Sequence, residues 1–145
     1  MKAVVQRVKE TSLKVDGNLI SQIPYGLIVY FGVGKGDDFK KAEYLASKIA
    51  KLRVFEDQDG KMNKSVIDVK GEVLSVSQFT LCADVSHGNR PGFSGAASPE
   101  IAEKIYDYFC AQLEANGLVV KRGVFGADMK ISQLSDGPVT IIYEV

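Results

Sequence analysis

The sequence predicts an α+β fold, in which a mixed, largely antiparallel β-sheet or barrel-like domain carries two main helices. Most apolar segments are short, alternate with polar residues and end at Gly, Asn, Asp or Pro turn signals, which is typical of strands. Only two stretches, 38–52 and 98–116, repeat their apolar residues at helical spacing. A chain of 145 residues has the size of one globular domain, and no repeat or linker divides it, so we predict a single domain over residues 1–145.

The strands follow from alternation and from turn signals. Residues 2–8 alternate, and Asp16-Gly17-Asn18 is a hairpin signal that precedes a return strand at Leu19-Ile20. The continuous apolar run 27–31 predicts a strand that is covered on both faces. About seven strands are expected in total, the others being 72–81, 118–122, 128–134 and 139–145.

Each of the two helices should bury one face. The apolar face of the first consists of Phe39, Ala42, Leu45, Ala46, Ile49 and Leu52. The second begins with Ser98 as N-cap and Pro99 in its first turn, and Asn116-Gly117 ends it in a left-handed cap. Its apolar face consists of Ile101, Ile105, Tyr108, Phe109 and Leu113.

The charge balance and the hydropathy limit the classes of partner. Lys and Arg number 18, and so do Asp and Glu, which gives a net charge of zero. This balance argues against a protein held to nucleic acid by bulk charge, although it leaves room for local basic patches, and no DNA partner is expected. The chain has no apolar run near the roughly 20 residues of a membrane span and no signal-peptide pattern. We therefore predict a cytoplasmic protein without a membrane partner.

Conventional catalytic and metal-binding residues are scarce. His87 is the only histidine, and Cys82 and Cys110 form no C-x-x-C pair. We interpret both cysteines as free thiols, and we predict no metal and no cofactor. A catalytic triad would need His87 with Asp84, three residues before it, and a solvent-facing loop histidine is the simpler interpretation.

Three loops are candidates for a binding site. Gly32-Val33-Gly34-Lys35-Gly36 lies between a predicted strand and a predicted helix, but it lacks the full phosphate-binding pattern, so a plain turn is favoured. Asp57-Gln58-Asp59-Gly60 resembles part of a calcium loop, but Phe55 and Val66 would occupy ligand positions, so a hairpin turn is favoured. The segment 82–97 has no apolar period, and a loop of this length in a compact domain is often functional.

Two further segments place polar groups at the end of a predicted strand and at a predicted turn. Alternation along 72–81 puts Gln78 and Thr80 side by side where the strand meets the long loop, while Ser77 and Phe79 point the other way. Ser135-Asp136-Gly137-Pro138 indicates a turn, and a Gly–Pro bond can adopt the cis form. On composition alone, a half-solvated strand and an ordinary turn are the simpler explanations.

Ser77-Gln78-Phe79-Thr80-Leu81, together with Gly137-Pro138-Val139-Thr140, resembles the D-aminoacyl-tRNA deacylase family. Two separate motifs in the right order and at the right separation make the resemblance specific. It extends over essentially the whole chain and includes the segments 52–57, 60–63, 88–91 and 125–129. The family usually has Asn before Asp-Gly-Pro, where this chain has Ser135, and Ser can make a similar turn-stabilising hydrogen bond.

The resemblance implies a homodimer that hydrolyses the ester between a D-amino acid, or glycine, and the 3′ end of tRNA, and that rejects L-aminoacyl-tRNA. It assigns catalysis to Gln78, Phe79 and Thr80. It also implies that Gly137-Pro138, in the cis form, enters the pocket of the partner subunit and holds the α-amino group of the substrate. The substrate-binding residues that it implies are Ser77, Phe125, Met129, Gly137, Pro138 and Val139.

Two mechanisms and one alternative function stay open at this point. Thr80 could act as a nucleophile, or the 2′-hydroxyl of the tRNA could position a water while the Phe79 N–H stabilises the oxyanion. We favour the second, because no general base is evident beside Thr80. Phosphate contacts are expected from Lys40-Lys41 or Lys121-Arg122. The alternative function is a non-catalytic RNA- or nucleotide-binding module with its phosphate site at Gly32 to Gly36, and a structural dimer is a third hypothesis.

Overall fold

The computed structural model describes residues 1–145 and contains two α-helices, eight strands and one 3₁₀ turn. The helices are α1 (Phe39–Ala50) and α2 (Pro99–Ala115), and the 3₁₀ turn covers Phe79–Cys82. The strands are β1 (Lys2–Val15), β2 (Asn18–Ile23), β3 (Gly26–Gly32), β4 (Phe55–Glu56), β5 (Met62–Lys64), β6 (Glu72–Ser77), β7 (Val120–Arg122) and β8 (Met129–Glu144). The predicted α+β class with two main helices is confirmed. Neither helix combines the length and the apolar character that a membrane crossing requires.

The strand β1 is the centre of a mixed six-stranded sheet. Its first half pairs antiparallel with β3 and its second half with β2, while β8 pairs antiparallel with it from Lys2 to Val15. The strand β3 then pairs in parallel with β6, and β6 pairs in parallel with β7. Ser21 on β2 donates its hydroxyl to the Arg122 carbonyl on β7 at 2.6 Å. Since β2 and β7 are the two ends of the strand order, this bond closes the sheet toward a barrel.

Apolar side chains cover the sheet on both faces. A core of 23 buried residues lies between the sheet and the two helices, where Phe31 on β3 stacks on Phe109 of α2 at 4.1 Å between ring centroids. A second cluster on the opposite face consists of Val8, Leu13, Ile23, Ile28, Leu74 and Val76. The strand β3 therefore contributes to both clusters, which confirms the prediction for the run 27–31.

The helix α1 matches its predicted position with one correction. The Asp38 carboxylate caps its first turn by accepting a hydrogen bond from the Lys41 N–H at 2.9 Å. The buried residues are Ala42, Leu45, Ala46, Ile49 and Ala50. The prediction that Phe39 is buried is wrong, because its ring lies at the edge of the helix pair and packs edge-on against Tyr108 at 5.1 Å.

The helix α2 also differs from its prediction in detail. Ser98 occupies the N-cap position but makes no side-chain hydrogen bond there. The prediction that Ile101 is buried is wrong, because the helix turns Ala102 and Tyr106 toward the sheet and leaves Ile101 about half exposed. The helix ends as predicted, with Gly117 at a φ of +89°.

The ends of β6 and β8 differ from the predicted strands. The Gln78 N–H still donates to the Phe31 carbonyl at 2.8 Å, but the chain then enters the 3₁₀ turn, so the predicted strand 72–81 was too long. The two strands predicted at 128–134 and 139–145 belong to one strand, because pairing with β1 extends to Ser135 and resumes at Thr140, and residues 136–139 bulge out between these two points. Register shifts opposite Gln6 to Glu10 accommodate the extra residues.

The two short turns agree with their predictions. Asp16 and Gly17 have φ of +50° and +80°, as a two-residue hairpin between β1 and β2 requires. The segment after Asp57 is a hairpin between β4 and β5. The Asp57 carboxylate accepts hydrogen bonds from the N–H groups of Asp59 and Lys61 at 2.9 and 3.0 Å, so it stabilises the turn.

Candidate active site

A cavity of about 590 Å³ opens where the parallel strands β3 and β6 end. Eighteen residues line it, and thirteen of them are hydrophobic. They come from the ends of β3 and β6, from the loop before α2, from the first turns of α2 and from the segment that leads into β8. The cavity is therefore an apolar pocket at the carboxyl ends of parallel strands, a place where ligands commonly bind.

Five residues predicted for the site line this cavity together, namely Ser77, Gln78, Phe79, Phe125 and Met129. Ser77 is the last paired residue of β6, Gln78 and Phe79 follow it, and the other two lie where the chain enters β8. The sheet brings these two segments together, because β7 pairs in parallel with β6 and the Gly123 N–H that follows β7 donates to the Ser75 carbonyl at 2.9 Å. The structure thus supports their predicted proximity, and their roles stay predictions.

Gln78 and Thr80 are neighbours as predicted, but for a different reason. The turn after β6, rather than strand alternation, brings them together, and Gln78 Nε2 donates to Thr80 Oγ1. Thr80 is exposed and is not part of the cavity lining of its own chain. The hydrogen-bond partner of the Thr80 hydroxyl is an amide, which cannot serve as a general base.

Phe79 combines a free backbone donor with an exposed aromatic ring. Its N–H is the first of the 3₁₀ turn and makes no backbone hydrogen bond. Its side chain is 56% exposed, although a large apolar side chain is usually buried. The ring meets Phe93 edge-on at 5.0 Å between centroids. This corner of the cavity therefore offers a hydrogen-bond donor beside two aromatic rings.

The floor of the cavity is held by a buried polar group of three residues. The Tyr106 hydroxyl donates to the Ser75 carbonyl at 2.9 Å, and the Cys110 thiol donates to the Ser75 hydroxyl at 3.4 Å. Burial raises the pKa of both Tyr106 and Cys110 above their ordinary values. Both groups therefore stay neutral near pH 7 and act as structural hydrogen-bond donors.

Gly137-Pro138 lies in the middle of β8, on the surface and outside the cavity of its own chain. The bond between them is cis, and Gly137 has a φ of +116°. The buried Arg7 side chain holds this segment in place. Its Nε lies 3.0 Å from the Asp136 carboxylate, and its Nη1 donates to the Val54 carbonyl at 2.6 Å. We call Asp136 to Pro138 the tip. Val139, which follows the tip, packs against the hydrophobic core.

Ser135, where the family usually has Asn, does not lack a partner. Its hydroxyl accepts a hydrogen bond from Gln133 Nε2 at 2.8 Å. Gln133 Nε2 also donates to Gln6 Oε1 at 2.9 Å, and Gln6 Nε2 donates to Thr140 Oγ1 at 3.2 Å. These side chains therefore link β1 to β8 on both sides of the tip.

The long loop contributes to the cavity through its second half. Phe93, Ala96 and Ala97 line the cavity, whereas His87 is exposed and does not. Asp84 makes no contact of the catalytic-triad kind, because its Oδ1 accepts from the N–H and the hydroxyl of Ser86 at 2.9 and 2.6 Å. These bonds lower the pKa of Asp84 and stabilise the loop. No three His, Cys, Asp or Glu side chains lie together in a geometry that could hold a metal ion.

The turn after β3 has no free phosphate cradle. The Gly34 N–H donates to the Asp37 carboxylate at 2.8 Å, and the Lys35 N–H donates to the Gly95 carbonyl at 2.9 Å. Asp37 also contacts the α-amino group of Met1 at 2.6 Å and Lys41 Nζ at 2.8 Å. Burial by itself would raise the pKa of Asp37, but these contacts outweigh it, so the pKa is lowered. The plain-turn interpretation of this glycine segment is therefore supported.

The sequence did not predict the part that several residues play in shaping the site. Tyr106 and Pro99 read as ordinary helix residues, and Arg7 read as a charged residue of a strand. Their contribution depends on tertiary contacts, since α2 covers the cavity and Arg7 reaches from β1 to the tip. Phe93 had a weak signal, as the sole aromatic residue of the long loop.

Comparison with known proteins identifies close relatives. The family model described as D-Tyr-tRNA(Tyr) deacylase matches residues 4–144. A protein of Bacillus cytotoxicus named D-aminoacyl-tRNA deacylase is 51% identical over 144 residues, which is 99% of each chain. A protein of Geotalea daltonii with the same name is 52% identical over 144 residues, which is 99% of this chain and 96% of the other.

Two solved structures share the fold. The structure titled c-Myc DNA Unwinding Element Binding Protein has a TM-score of 0.93 and 46% identity, and the match covers 100% of this chain and 99% of the other. A probable eukaryotic D-amino acid tRNA deacylase has a TM-score of 0.84 at 16% identity, with 99% and 98% of the two chains covered. At that low identity, the second likeness concerns the fold alone.

We predict that neither thiol is reactive at neutral pH. Burial raises the pKa of Cys82 and of Cys110, so the reactive thiolate forms only at a pH higher than for an ordinary cysteine. Alkylation by iodoacetamide, followed by mass spectrometry from pH 7 to 10, should be slow at pH 7 and rise with pH. Protein unfolded in guanidinium chloride is the control and should react faster. Alkylation of the folded protein at the unfolded rate at pH 7 contradicts this prediction.

Proposed function

Because the chain belongs to the D-Tyr-tRNA(Tyr) deacylase family, we propose that it hydrolyses the ester that joins a D-amino acid to the 3′ end of tRNA. Like its full-length relatives, the chain is a hydrolase. The observation that supports the proposal most directly is the cavity of about 590 Å³, which Ser77, Gln78 and Phe79 line together. We place the reaction in the cytoplasm, where aminoacyl-tRNA is used.

The cavity lining suits an aminoacylated adenosine. The rings of Phe79 and Phe93 are partly exposed and can stack on the adenine base, as aromatic side chains commonly do with nucleic acid bases. The few polar side chains of the lining, Ser77, Gln78 and Asp128, can contact the ribose and the ester. Because the wall is mostly apolar and has few polar groups, the cavity should bind the aminoacylated terminal adenosine better than a larger polar ligand.

We propose a hydrolysis in which the protein supplies an oxyanion site and the substrate supplies a hydroxyl. The 2′-hydroxyl of the terminal ribose positions a water, whose oxygen attacks the ester carbonyl carbon. The Phe79 N–H, which makes no backbone hydrogen bond, stabilises the charge that develops on the carbonyl oxygen. The bond to the ribose 3′-oxygen then breaks, and that oxygen takes the proton that the attacking water releases, relayed by the 2′-hydroxyl. One such donor contributes roughly 3 kcal/mol to transition-state stabilisation.

The role of Thr80 follows from its surroundings. A threonine nucleophile needs a base to accept its proton, and the observed partner of the Thr80 hydroxyl is the Gln78 amide. The only histidine, His87, is exposed on the loop and does not line the cavity. We therefore assign Thr80 to fixing Gln78 rather than to attack on the ester.

We propose that the active form is a homodimer, in which the tip of one subunit enters the cavity of the other. Three features support this arrangement: the tip is exposed, it does not line the cavity of its own chain, and Arg7 fixes it from beneath. In the dimer, backbone carbonyls of Gly137 and Pro138 bind the α-amino group of the substrate. The side chain of an L-amino acid would collide with the tip, whereas D-amino acids and glycine fit.

The alternative of a nucleotide-binding module is not favoured by its proposed phosphate site at Gly32 to Gly36. In this turn the N–H groups of Gly34 and Lys35 are already used in hydrogen bonds to Asp37 and Gly95. The cavity lies at the motif that carries the deacylase resemblance rather than at this turn.

Hydrolysis of matched substrates tests the proposed function. We expect the protein to release the amino acid from D-tyrosyl-tRNA and from glycyl-tRNA, and to leave L-tyrosyl-tRNA intact. The measurement is the release of labelled amino acid against a control without enzyme. Equal hydrolysis of the two tyrosyl enantiomers would overturn the assigned chirality, and hydrolysis of none of the three would overturn the function.

The substrate hydroxyl should matter more than Thr80. We expect Thr80→Ala to keep its kcat within about tenfold of the wild type, because the hydroxyl only supports Gln78. A D-tyrosyl-tRNA that ends in 2′-deoxyadenosine should be hydrolysed at least about 100-fold more slowly, because the water loses its positioning group. Thr80→Ser serves as the matched control. A loss of about 10⁵-fold in Thr80→Ala would instead indicate a nucleophile.

Mixed dimers should test which subunit receives the tip. A Cβ at Gly137 would lie 2.8 Å from Val139 Cγ2, so we expect Gly137→Ala to displace the tip and Phe79→Ala to weaken the pocket. When the two impaired variants are mixed and allowed to exchange, half of the dimers are mixed and each has one intact pocket. The activity of the mixture should therefore rise above that of either variant, toward about a quarter of the wild-type activity. Pro138→Ala provides a second tip variant. If each tip serves its own chain, no activity returns.

A further inference from the structure

The two helices of this neutral protein carry opposite charge. The helix α1 with its C-cap contains four lysines and one glutamate, whereas α2 contains four carboxylates and one lysine. The two helices pack against each other through Phe39, Glu43 and Tyr108. The surface formed by the helices is therefore basic on one side and acidic on the other, which the net charge of zero conceals.

The basic side is an ordered row rather than a scatter of lysines. Lys40, Tyr44 and Lys48 are spaced four residues apart, and Lys51 follows three residues later, so all four lie on one face of α1. We call these four residues the α1 row. All four are exposed, and Lys48 Nζ lies 5.9 Å from the centre of the Tyr44 ring.

The lysines of the α1 row are available to bind an anion, because none of the three forms an ion pair within the chain. The nearby carboxylates already have partners. Asp37 holds Lys41, Asp38 caps the helix, and Glu43 accepts a hydrogen bond from the Tyr108 hydroxyl at 3.4 Å.

The segment that leads into the α1 row is bonded to the loop that forms one wall of the cavity. Val33 and Ala96 line the cavity, and the segment between Val33 and α1 is held against that wall by the Lys35 N–H, which donates to the Gly95 carbonyl. The helix starts four residues after Lys35. From Lys40 to Lys51 the row is about 16 Å long at 1.5 Å per residue, which is long enough to meet several phosphates of a nucleic acid strand.

We propose that the α1 row binds the phosphate backbone of the tRNA acceptor stem while the 3′ end of that tRNA occupies the cavity. This inference rests on the proposed function and adds the path of the tRNA body to it. The lysines contribute phosphate contacts, and the exposed Tyr44 ring covers the sugar edge between them. The cations at α2 are already paired, Lys104 with Glu100 and Arg122 with Asp107 and Glu114, so the stem lies along α1 and away from α2.

Two triple variants with the same loss of charge test the proposal. In the first, Lys40, Lys48 and Lys51 are changed to Gln, which keeps the helix propensity and leaves Lys41 with Asp37. In the control, three other exposed lysines without ion pairs, none of them expected to contact phosphate, are changed to Gln, namely Lys14, Lys64 and Lys70. Circular dichroism verifies that both variants are folded.

Binding is measured with fluorescently labelled, uncharged tRNA at several salt concentrations, and hydrolysis with D-tyrosyl-tRNA and with 3′-D-tyrosyl-adenosine. We expect the α1 variant to bind tRNA at least about tenfold more weakly. The slope of the logarithm of its binding constant against the logarithm of the salt concentration should become less negative by about 2 to 3. Its KM for D-tyrosyl-tRNA should rise with the Kd, while hydrolysis of the adenosine ester should stay unchanged. The control variant should behave like the wild type.

Each contrary result has a separate meaning. If the α1 variant binds tRNA as tightly as the control, or if both variants lose affinity equally, the α1 row is not the binding surface. If only the control loses affinity, the stem lies elsewhere and the inference is equally wrong. If the wild type hydrolyses neither ester, the proposed function fails, and the tRNA affinities of the variants still decide whether the α1 row binds RNA.

Discussion

Both edges of β1 are occupied by hydrogen-bonded strands, and this double pairing determines where the parts of the candidate site lie. On one edge, β3 and then β6 follow in register, so β1 sets the position at which Ser77 leaves the sheet. On the other edge, β8 carries the tip past the register shifts at Gln6 to Glu10. Arg7, in the middle of β1, then binds Asp136 directly. One strand thus aligns the cavity and the tip.

The proposed hydrolysis uses fixed neutral groups rather than ionised catalysts. Tyr106 and Cys110 remain protonated beneath the cavity, and the Thr80 hydroxyl is paired with an amide. The group best placed to stabilise negative charge is a backbone N–H at the start of a turn, whose position depends on the sheet pairing before it. A site of this kind is suited to an ester, because aminoacyl esters are already labile and require limited activation.

The sequence predicts the parts of this protein that depend on local pattern and misses those that depend on tertiary packing. The apolar run 27–31 and the Asp16-Gly17 turn are recognised from short-range rules, and both are confirmed. Alternation predicts Gln78 beside Thr80, yet the chain leaves the sheet after Gln78, because no neighbouring strand continues the ladder. The part of Tyr106 in the cavity floor cannot be read from periodicity, since it depends on which face of α2 meets the sheet.

The opposite charges of α1 and α2, offset in part by the pairing of Arg122 with α2, form an electric dipole across the two helices although the net charge of the chain is zero. Near the sequence pI of about 6.6, dipoles of this kind attract one another, the basic helix of one molecule facing the acidic helix of the next. This attraction acts over a distance comparable to the Debye length, so it is strong in dilute buffer and is screened at 0.15 M salt, where that length is about 8 Å. The solubility of the protein near neutral pH should therefore increase when salt is added.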